Sequence, residues 1–279
     1  MHWAYTDEYY KNYTRETWDE CAERYLPLMG NLQQFHRALL ERVRPDADER
    51  VLDVCTGPGE PAMTIAQMVG PSGRVTGIDL STSMVDIARR TAAMRGLGNV
   101  EFLPMDAEKL DLPADRFDLA VACFGFQIVT DPEAAAREIL RVTRPGGRAG
   151  FTVWSTGDRA PALDVLVGPM LEYAEPDETG YLPTPYELGG PGELAALLRG
   201  VGFAEADETR VTGPWRAESP EAYLETVLAG TPLGHSLGEE EPAVQEAVRR
   251  KASENIARWR GNGGVEIPAE CVIVTARKR

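Results

Sequence analysis

Between residues 50 and 154 short apolar runs alternate with stretches of helical period. The apolar runs predict strands over 50–55, 74–79, 100–103, 117–123 and 148–154. Amphipathic spacing predicts helices over 60–69, 83–95 and 132–143, with an irregular stretch near 106–112. Punctuation agrees with the pattern. Ser81 is placed to cap the second of these helices, and Asp131-Pro132 sets a capping residue before a proline at a first helical position. Arg144-Pro145-Gly146-Gly147 stops the third. Such alternation calls for a Rossmann-like, mainly parallel sheet with helices on both faces.

The flanks read differently. Thr17–Leu28 and Asn31–Val43 predict two helices, the second with an apolar stripe of Leu32, Phe35, Leu39, Leu40 and Val43. Pro45-Asp46-Ala47-Asp48 links them to the first strand. Beyond 154, Pro161, Pro169, Pro176, Pro183, Pro185 and Pro191 break up residues 155–190, which do not read as a βα unit. A helix follows at 193–199, a strand at 203–211, polar-rich helices at 219–229 and 241–260, and a last strand at 270–276. The two late strands suggest an antiparallel pair closing a seven-stranded sheet. The expectation is one α/β domain over 1–279. It has a helical N-terminal cap at 1–45, a ligand-binding core at 46–154, and covers over the substrate at 155–190 and 215–268.

Composition narrows the field. A chain of 279 residues with 43% hydrophobic content is large enough for one substantial core. Its net charge of -15 argues against a nucleic-acid backbone or an anionic membrane as main partner. The four cysteines, Cys21, Cys55, Cys123 and Cys271, are scattered, with no Cys/His spacing of a zinc site. They fit a reduced, cytoplasmic setting. No basic leader or run of membrane-spanning length is visible.

Four places carry candidate chemistry. Asp53-x-x-x-Gly57-x-Gly59 puts small residues in the turn after the first strand, where backbone can lie against a ligand. A carboxylate inside that strand is costly unless paired, so Asp53 is expected to order the turn and receive a ligand ammonium, directly or through water. Asp79 stands twenty residues past Gly59, at the tip of the next strand. There it can accept two ribose hydroxyls, or simply cap the helix that follows. Met105-Asp106-Ala107-Glu108 follows the third strand, where a carboxylate and an apolar sulfur side chain suit an adenine ring. The apolar fourth strand ends in Cys123-Phe124-Gly125-Phe126-Gln127, at the edge that would border a reacting centre.

In combination these segments resemble the class I S-adenosylmethionine-dependent methyltransferases. Among them they are similar to the small-molecule enzymes that include the ubiquinone/menaquinone-biosynthesis methyltransferases. Leu52–Gly59 matches the family's glycine motif, and Gly77-Ile78-Asp79-Leu80-Ser81-x-x-Met84 its ribose motif. Met105–Leu110 with Phe117-Asp118 matches its adenine segment and fourth strand. Glu138-x-x-Arg141-Val142-x-x-Pro145-Gly146-Gly147 matches the approach to its fifth. The resemblance covers roughly residues 45–155. It implies S-adenosylmethionine as cofactor, S-adenosylhomocysteine as product, and a small-molecule methyl acceptor. Asp53 and Gly57 would lie by the methionyl group, Asp79 by the ribose, Asp106 and Ala107 by the adenine, and Gly59, Leu80 and Met84 would also bind the cofactor. Cys123 and Phe124 would face the sulfonium. Where quinone-pathway relatives commonly carry Arg-Asn this chain has Gln127-Ile128, a departure that counts against a quinone. The metal set of catechol-type relatives is not evident, so no metal is expected.

The remaining expectations concern the acceptor. Tyr13, Trp18 and Tyr25 would form an aromatic lid, with cation–π contact to a sulfonium, or else pack helix on helix. Tyr25 is the cofactor-side candidate, and Tyr13, Phe126, Gln127 and Trp154 the substrate-side ones. A sulfonium methyl needs alignment more than a catalytic residue; if a general base is used, His36 and His235 are the candidates. A homodimer stays open. So do two rivals: an NAD(P)-dependent oxidoreductase, since Gly57-x-Gly59-x-x-Ala62 with Asp79 satisfies a loose dinucleotide pattern, and a non-catalytic nucleotide-binding protein.

Overall fold

A computed structural model describes residues 8–173, 184–261 and 263–279. Its core is the expected alternation. β1 (Arg50–Val54), β2 (Arg74–Asp79), β3 (Val100–Pro104), β4 (Phe117–Cys123) and β5 (Thr143–Trp154) are parallel. The helices between them are α3 (Ala62–Val69), α4 (Thr82–Met94) and α5 (Pro132–Val142). With β6 (Glu205–Ala217) and β8 (Gly264–Arg277) the sheet order is β3-β2-β1-β4-β5-β8-β6. β8 is antiparallel to both of its neighbours, as expected of the C-terminal strand. The two-residue β7 (Arg260–Gly261) pairs with the start of β8 and lies off this path.

The chain reverses strand order beside β1, because β2 lies on one side of it and β4 on the other. Ligands of open parallel sheets bind at the carboxyl ends of the strands at such a point. The residues beyond Val54, Asp79, Pro104 and Cys123 are therefore where a site belongs.

One face of the sheet carries Val51, Val121, Cys123, Trp154, Cys271 and Ile273. It is covered by α2 (Met29–Val43), α3, α6 (Pro161–Tyr173), α8 (Pro220–Gly230) and α10 (Pro242–Ala257). The apolar stripe read in α2 is buried there. The other face carries Leu52, Val54, Phe151 and Val153 under α5 and α7 (Glu193–Val201). Ser81 and Asp131 cap α4 and α5 by accepting from Met84 N and Ala134 N, as the sequence predicts.

Three readings need correction. The late strands are longer than expected and pair from Glu205↔Arg277 to Ala217↔Val265. Gly213, Pro214 and Pro268 lie beyond the expected strands, yet Pro214 and Pro268 face each other in that ladder. β5 leaves β8 at Trp154↔Cys271 and β7 pairs only with Gly264 and Val265, so around Pro214 and Pro268 the ribbon is two-stranded and its free edges tolerate proline. The first helix, α1 (Glu8–Tyr25), begins well before Thr17. The helix expected over 241–260 is α10, and a further helix that the sequence reading lacked, α9 (Pro232–Glu239), precedes it; each has a proline in its first turn. Trp3, Tyr5, Pro176 and Pro183 lie outside the described residues.

The tips of β1 and β4 meet closely. A Cβ added at Gly125 would lie 2.1 Å from Cys55 Cβ. Cys55 itself has a left-handed φ of 56°, a conformation that glycine adopts without strain. Gly125→Ala is expected to destabilise the fold by about 1–3 kcal/mol through overpacking. Adding Cys55→Gly should recover part of that loss. Urea unfolding of the two single variants and the double variant measures the coupling, and strict additivity would show that the contact does not set the spacing.

Candidate active site

The glycine turn is built on Asp53. Its side chain is fully buried, and Oδ2 accepts from Thr56 Oγ1 at 2.6 Å and from Ala62 N at 3.1 Å. One carboxylate oxygen thus ties the turn to the first residue of α3. The other, Oδ1, has no hydrogen-bond partner. Burial raises the Asp53 pKa to about 7, against the two hydrogen bonds that lower it. Gly57, at φ 53°, has open space where a side chain would stand, so backbone there can lie against a ligand. Gly59 is different. Its missing Cβ would meet Met63 Cε at 2.3 Å, with Ala88 and Phe102 close behind. Packing of α3, α4 and β3 requires this glycine, and it does not line the cleft.

Asp79 joins the next two pieces. Its Oδ2 accepts from Gly57 N at 2.8 Å and its Oδ1 from Ser81 N at 2.9 Å. Ser81, not Asp79, caps α4; Asp79 holds the residue that caps, and each of its oxygens keeps a second lone pair toward the cleft. Burial raises its pKa to about 6, opposed by the amides of Ser81, Gly57 and Leu80. Past β3, Asp106 Oδ1 accepts from Glu108 N at 2.9 Å. Glu108 Oε1 in turn accepts from Asp131 N at 2.9 Å, which fixes this loop to the start of α5. At the tip of β4, Cys123 and Phe124 complete the wall. Burial pushes the Cys123 thiol well up, so it is an apolar surface and not a nucleophile. Phe124 has a φ of 56°, an outlier for a bulky side chain.

α1 lies across this opening. Lys11 Nζ donates to Asp106 Oδ2 at 2.8 Å and pairs with Glu108. Asp19 Oδ1 accepts from Ser81 Oγ at 2.6 Å and Ser83 N at 2.8 Å, at the start of α4. Trp18 and Tyr25, on the same helix, meet edge to face at 5.4 Å and line the cleft. Burial raises the Tyr25 phenol, with Asp79 and the Cys21 and Cys123 thiols adding to it. The cleft encloses about 810 Å³ of empty space, its open mouth included.

The fold thus brings Tyr25, Gly57, Asp79, Leu80, Met84, Asp106, Ala107, Cys123 and Phe124 to one cleft. Asp53 lies beneath it. Phe126 does not reach it. That ring is fully buried against Phe151 on the opposite face of the sheet, because the short 3-10 turn Phe126–Ile128 rotates it inward. Gln127 is buried too, and its Oε1 accepts from Trp154 N at 2.8 Å. Trp154 stacks behind Phe124, with ring centroids 4.0 Å apart. Tyr13 shares a hydrogen bond with Ser236 Oγ on α9. His235 pairs with Glu20 and Glu239 behind α1, away from the cleft. His36 is buried at 6.4 Å from the Phe124 ring, and burial lowers its pKa to about 4.

Sequence reasoning missed Lys11, Thr14 and Arg15 at the mouth, and the Asp19 latch. Nothing local marks a surface lysine as a clamp. Met105 and Glu108 were in view as parts of a motif, and both line the cleft. Among the described residues no group of three or more His, Cys, Asp or Glu could hold a metal ion.

This arrangement fits a nucleoside with a cationic, amine-bearing tail. Asp53 Oδ1 is an orphaned buried acceptor, and Asp79 and Asp106 offer carboxylate oxygens at two further strand tips. Pyrophosphate fits poorly, since the Gly57 and Ala62 amides are already engaged by carboxylates.

Comparison with known proteins agrees. Residues 51–147 match the model of a family described as a methyltransferase domain. A ubiquinone/menaquinone biosynthesis C-methyltransferase of Pseudomonas putida is 44% identical over 123 residues, 43% of this chain and 48% of that one. The chain thus spans about half the length of that relative. The nocamycin O-methyltransferase of Saccharothrix syringae is 34% identical over 198 residues, covering 67% of this chain and 71% of that one. The crystal structure of the [4+2]-cyclase SpnF superposes with a TM-score of 0.55 at 26% identity, covering 88% of this chain and 80% of that one. With the cleft's carboxylates and the nocamycin relative both in view, the chain belongs to the class I S-adenosylmethionine-dependent methyltransferases.

Proposed function

We propose that this protein transfers the methyl group of S-adenosylmethionine to a small-molecule acceptor by in-line displacement. The observation that carries this reading is one cleft lined by Gly57, Asp79 and Asp106, with the buried, half-partnered Asp53 beneath it. When bound, the cofactor supplies a methyl group on a positively charged sulfonium. The chain's own residues bind and orient. Gly57 leaves room for the methionyl backbone, and the Asp53 carboxylate attracts its ammonium. Asp79 accepts from the ribose hydroxyls, while Leu80 and Met84 pack against that sugar. Asp106 and Ala107 hold the adenine, with Met105 as an apolar face. Trp18 and Tyr25 present ring faces to the cation and exclude water.

Alignment and desolvation then account for most of the rate. Where the acceptor must lose a proton, His36 stands nearer the cleft than His235, although burial leaves it a weak base. It is neutral at pH 7 and lies near Phe124, whereas His235 sits between two carboxylates behind α1. The described parts of 155–190 and 215–268 would cover the acceptor.

The oxidoreductase rival is disfavoured by the occupied loop amides. The likeness to a cyclase makes methyl transfer, and not binding alone, the decisive activity. Asp79→Ala is expected to weaken S-adenosylhomocysteine binding by roughly 1.5–3 kcal/mol, the scale of hydrogen bonds to a charged group. Calorimetric titration checks it, and an unchanged affinity would remove Asp79 from the ribose site.

The raised pKa of Asp79 also sets a pH dependence. Ribose hydroxyls favour the ionised carboxylate, so binding releases a proton wherever the free group is protonated. Affinity is therefore expected to fall as pH drops below about 6. Asp53, with a pKa near 7, adds to that fall. Asp79→Asn should flatten the profile, and an identical profile in that variant would assign the titration elsewhere. Lys11→Ala removes one latch of α1 at the mouth of the cleft. It should speed cofactor release in stopped-flow measurements, and an unaltered off-rate would mean that α1 does not gate the cleft.

A further inference from the structure

Lys11, near the start of α1, lines the cleft together with Asp106, Ala107 and Glu108. Its Nζ donates to Asp106 Oδ2 at 2.8 Å and pairs with Glu108. Both acids are themselves held. Asp106 Oδ1 accepts from Glu108 N at 2.9 Å, and Glu108 Oε1 accepts from Asp131 N at 2.9 Å. The Glu108 side chain is only 7% exposed. Partial burial works against the lysine's charge, but hydrogen bonds from Nζ to Asp106 and Glu108, with their negative charge, outweigh it and hold the pKa above its ordinary value. The ammonium is therefore fixed, charged and a donor only. It carries three hydrogens, and these two carboxylates take two of them. Arg15 lines the same mouth, but its guanidinium bonds are to Asn12 and Glu16 on its own helix.

The edge of adenine furthest from the sugar presents two groups side by side. The amino group donates, and ring nitrogen N1 accepts. An ionised carboxylate can serve only the first, because it has no hydrogen to give. Asp106 alone thus leaves N1 unread, and an acceptor taken out of water without a partner loses the bond it had there. N1 and the amino nitrogen are attached to one ring carbon. When the amino group sits on Asp106, N1 is carried toward whatever else donates to that carboxylate. At Oδ2 that donor is Lys11 Nζ. Aspartate and lysine together offer an acceptor beside a donor, the complement of this edge.

We propose that Lys11 reads the base: with the adenine amino group on Asp106, Lys11 Nζ donates its third hydrogen to N1, and the lid helix completes recognition of the cofactor. This rests on the methyl-transfer reading and adds to it a specificity-determining residue. The same ammonium latches α1 and reads the base, so lid closure and adenine recognition are one event.

The test uses the full chain and calorimetric titration of two ligands. S-adenosylhomocysteine comes first, and its failure to bind sinks the methyl-transfer reading by itself. The second ligand is its 1-deaza analogue, which keeps the amino group and has a C–H in place of N1. Wild type is expected to bind the analogue about tenfold more weakly, the loss of one hydrogen bond to a charged group. In Lys11→Met the preference should shrink to within about twofold, since the two changes remove the same contact. Lys11→Arg keeps a charged donor and should retain most of the preference. Loss of the latch weakens both ligands alike and cancels in their ratio. A lysine that only latches would therefore leave the preference unchanged in Lys11→Met, and that result overturns the proposal. Equal binding of the two ligands by wild type overturns it as well, with no variant needed. Melting curves establish that the variants fold, and Lys11→Ala takes the place of Lys11→Met if the latter does not.

Discussion

The hydrogen bond from the Gly57 amide to the Asp79 carboxylate is the join on which the site depends. It ties the turn after β1 to the tip of β2, and the second oxygen of Asp79 ties that tip to the start of α4. The carboxylate is buried, so it survives only because backbone amides pair with it. Asp53 does the same work one layer down, holding Thr56 and the first residue of α3. The two acids use up the amides that a phosphate-binding loop would offer, and leave a negative lining in their place. One constraint thus shapes the turn and selects the charge of what binds there.

The lid follows from the same join. α1 is a polar helix with little apolar surface of its own to bury. It is held by Asp19 at Ser81 and Ser83, beside Asp79, and by Lys11 at Asp106 and Glu108. These latches sit at the tips of β2 and β3, so the cover is registered on the residues expected to bind the ribose and the adenine. Its far side rests on α8 and α9 through Arg24 at Ala229 and Tyr13 at Ser236. The lid couples the cofactor cleft to the C-terminal helices.

The core was legible because its strands are short apolar runs ending in glycine or aspartate. Asp79 and Asp106 could be placed from spacing alone. Other features depend on tertiary facing that no local pattern records. Gly59 resembles Gly57 in sequence, yet one is required by packing and the other faces open space. Phe124 and Phe126 are two residues apart, but a 3-10 turn sends them to opposite faces of the sheet. Gly213 and Pro214 lie beyond the expected strand, although the ribbon runs through them where it has free edges. The latch residues Lys11 and Asp19 are ordinary surface types until α1 is laid across the cleft.

The central claim is that this cleft holds the methyl donor by its ribose and adenine. A crystal structure of the protein with S-adenosylhomocysteine tests it most directly. The account predicts both ribose hydroxyls within hydrogen-bond distance of Asp79, the adenine at Asp106 and Ala107, and the sulfur against Cys123 and Phe124. A ligand bound outside this cleft, or with its ribose away from Asp79, would contradict it.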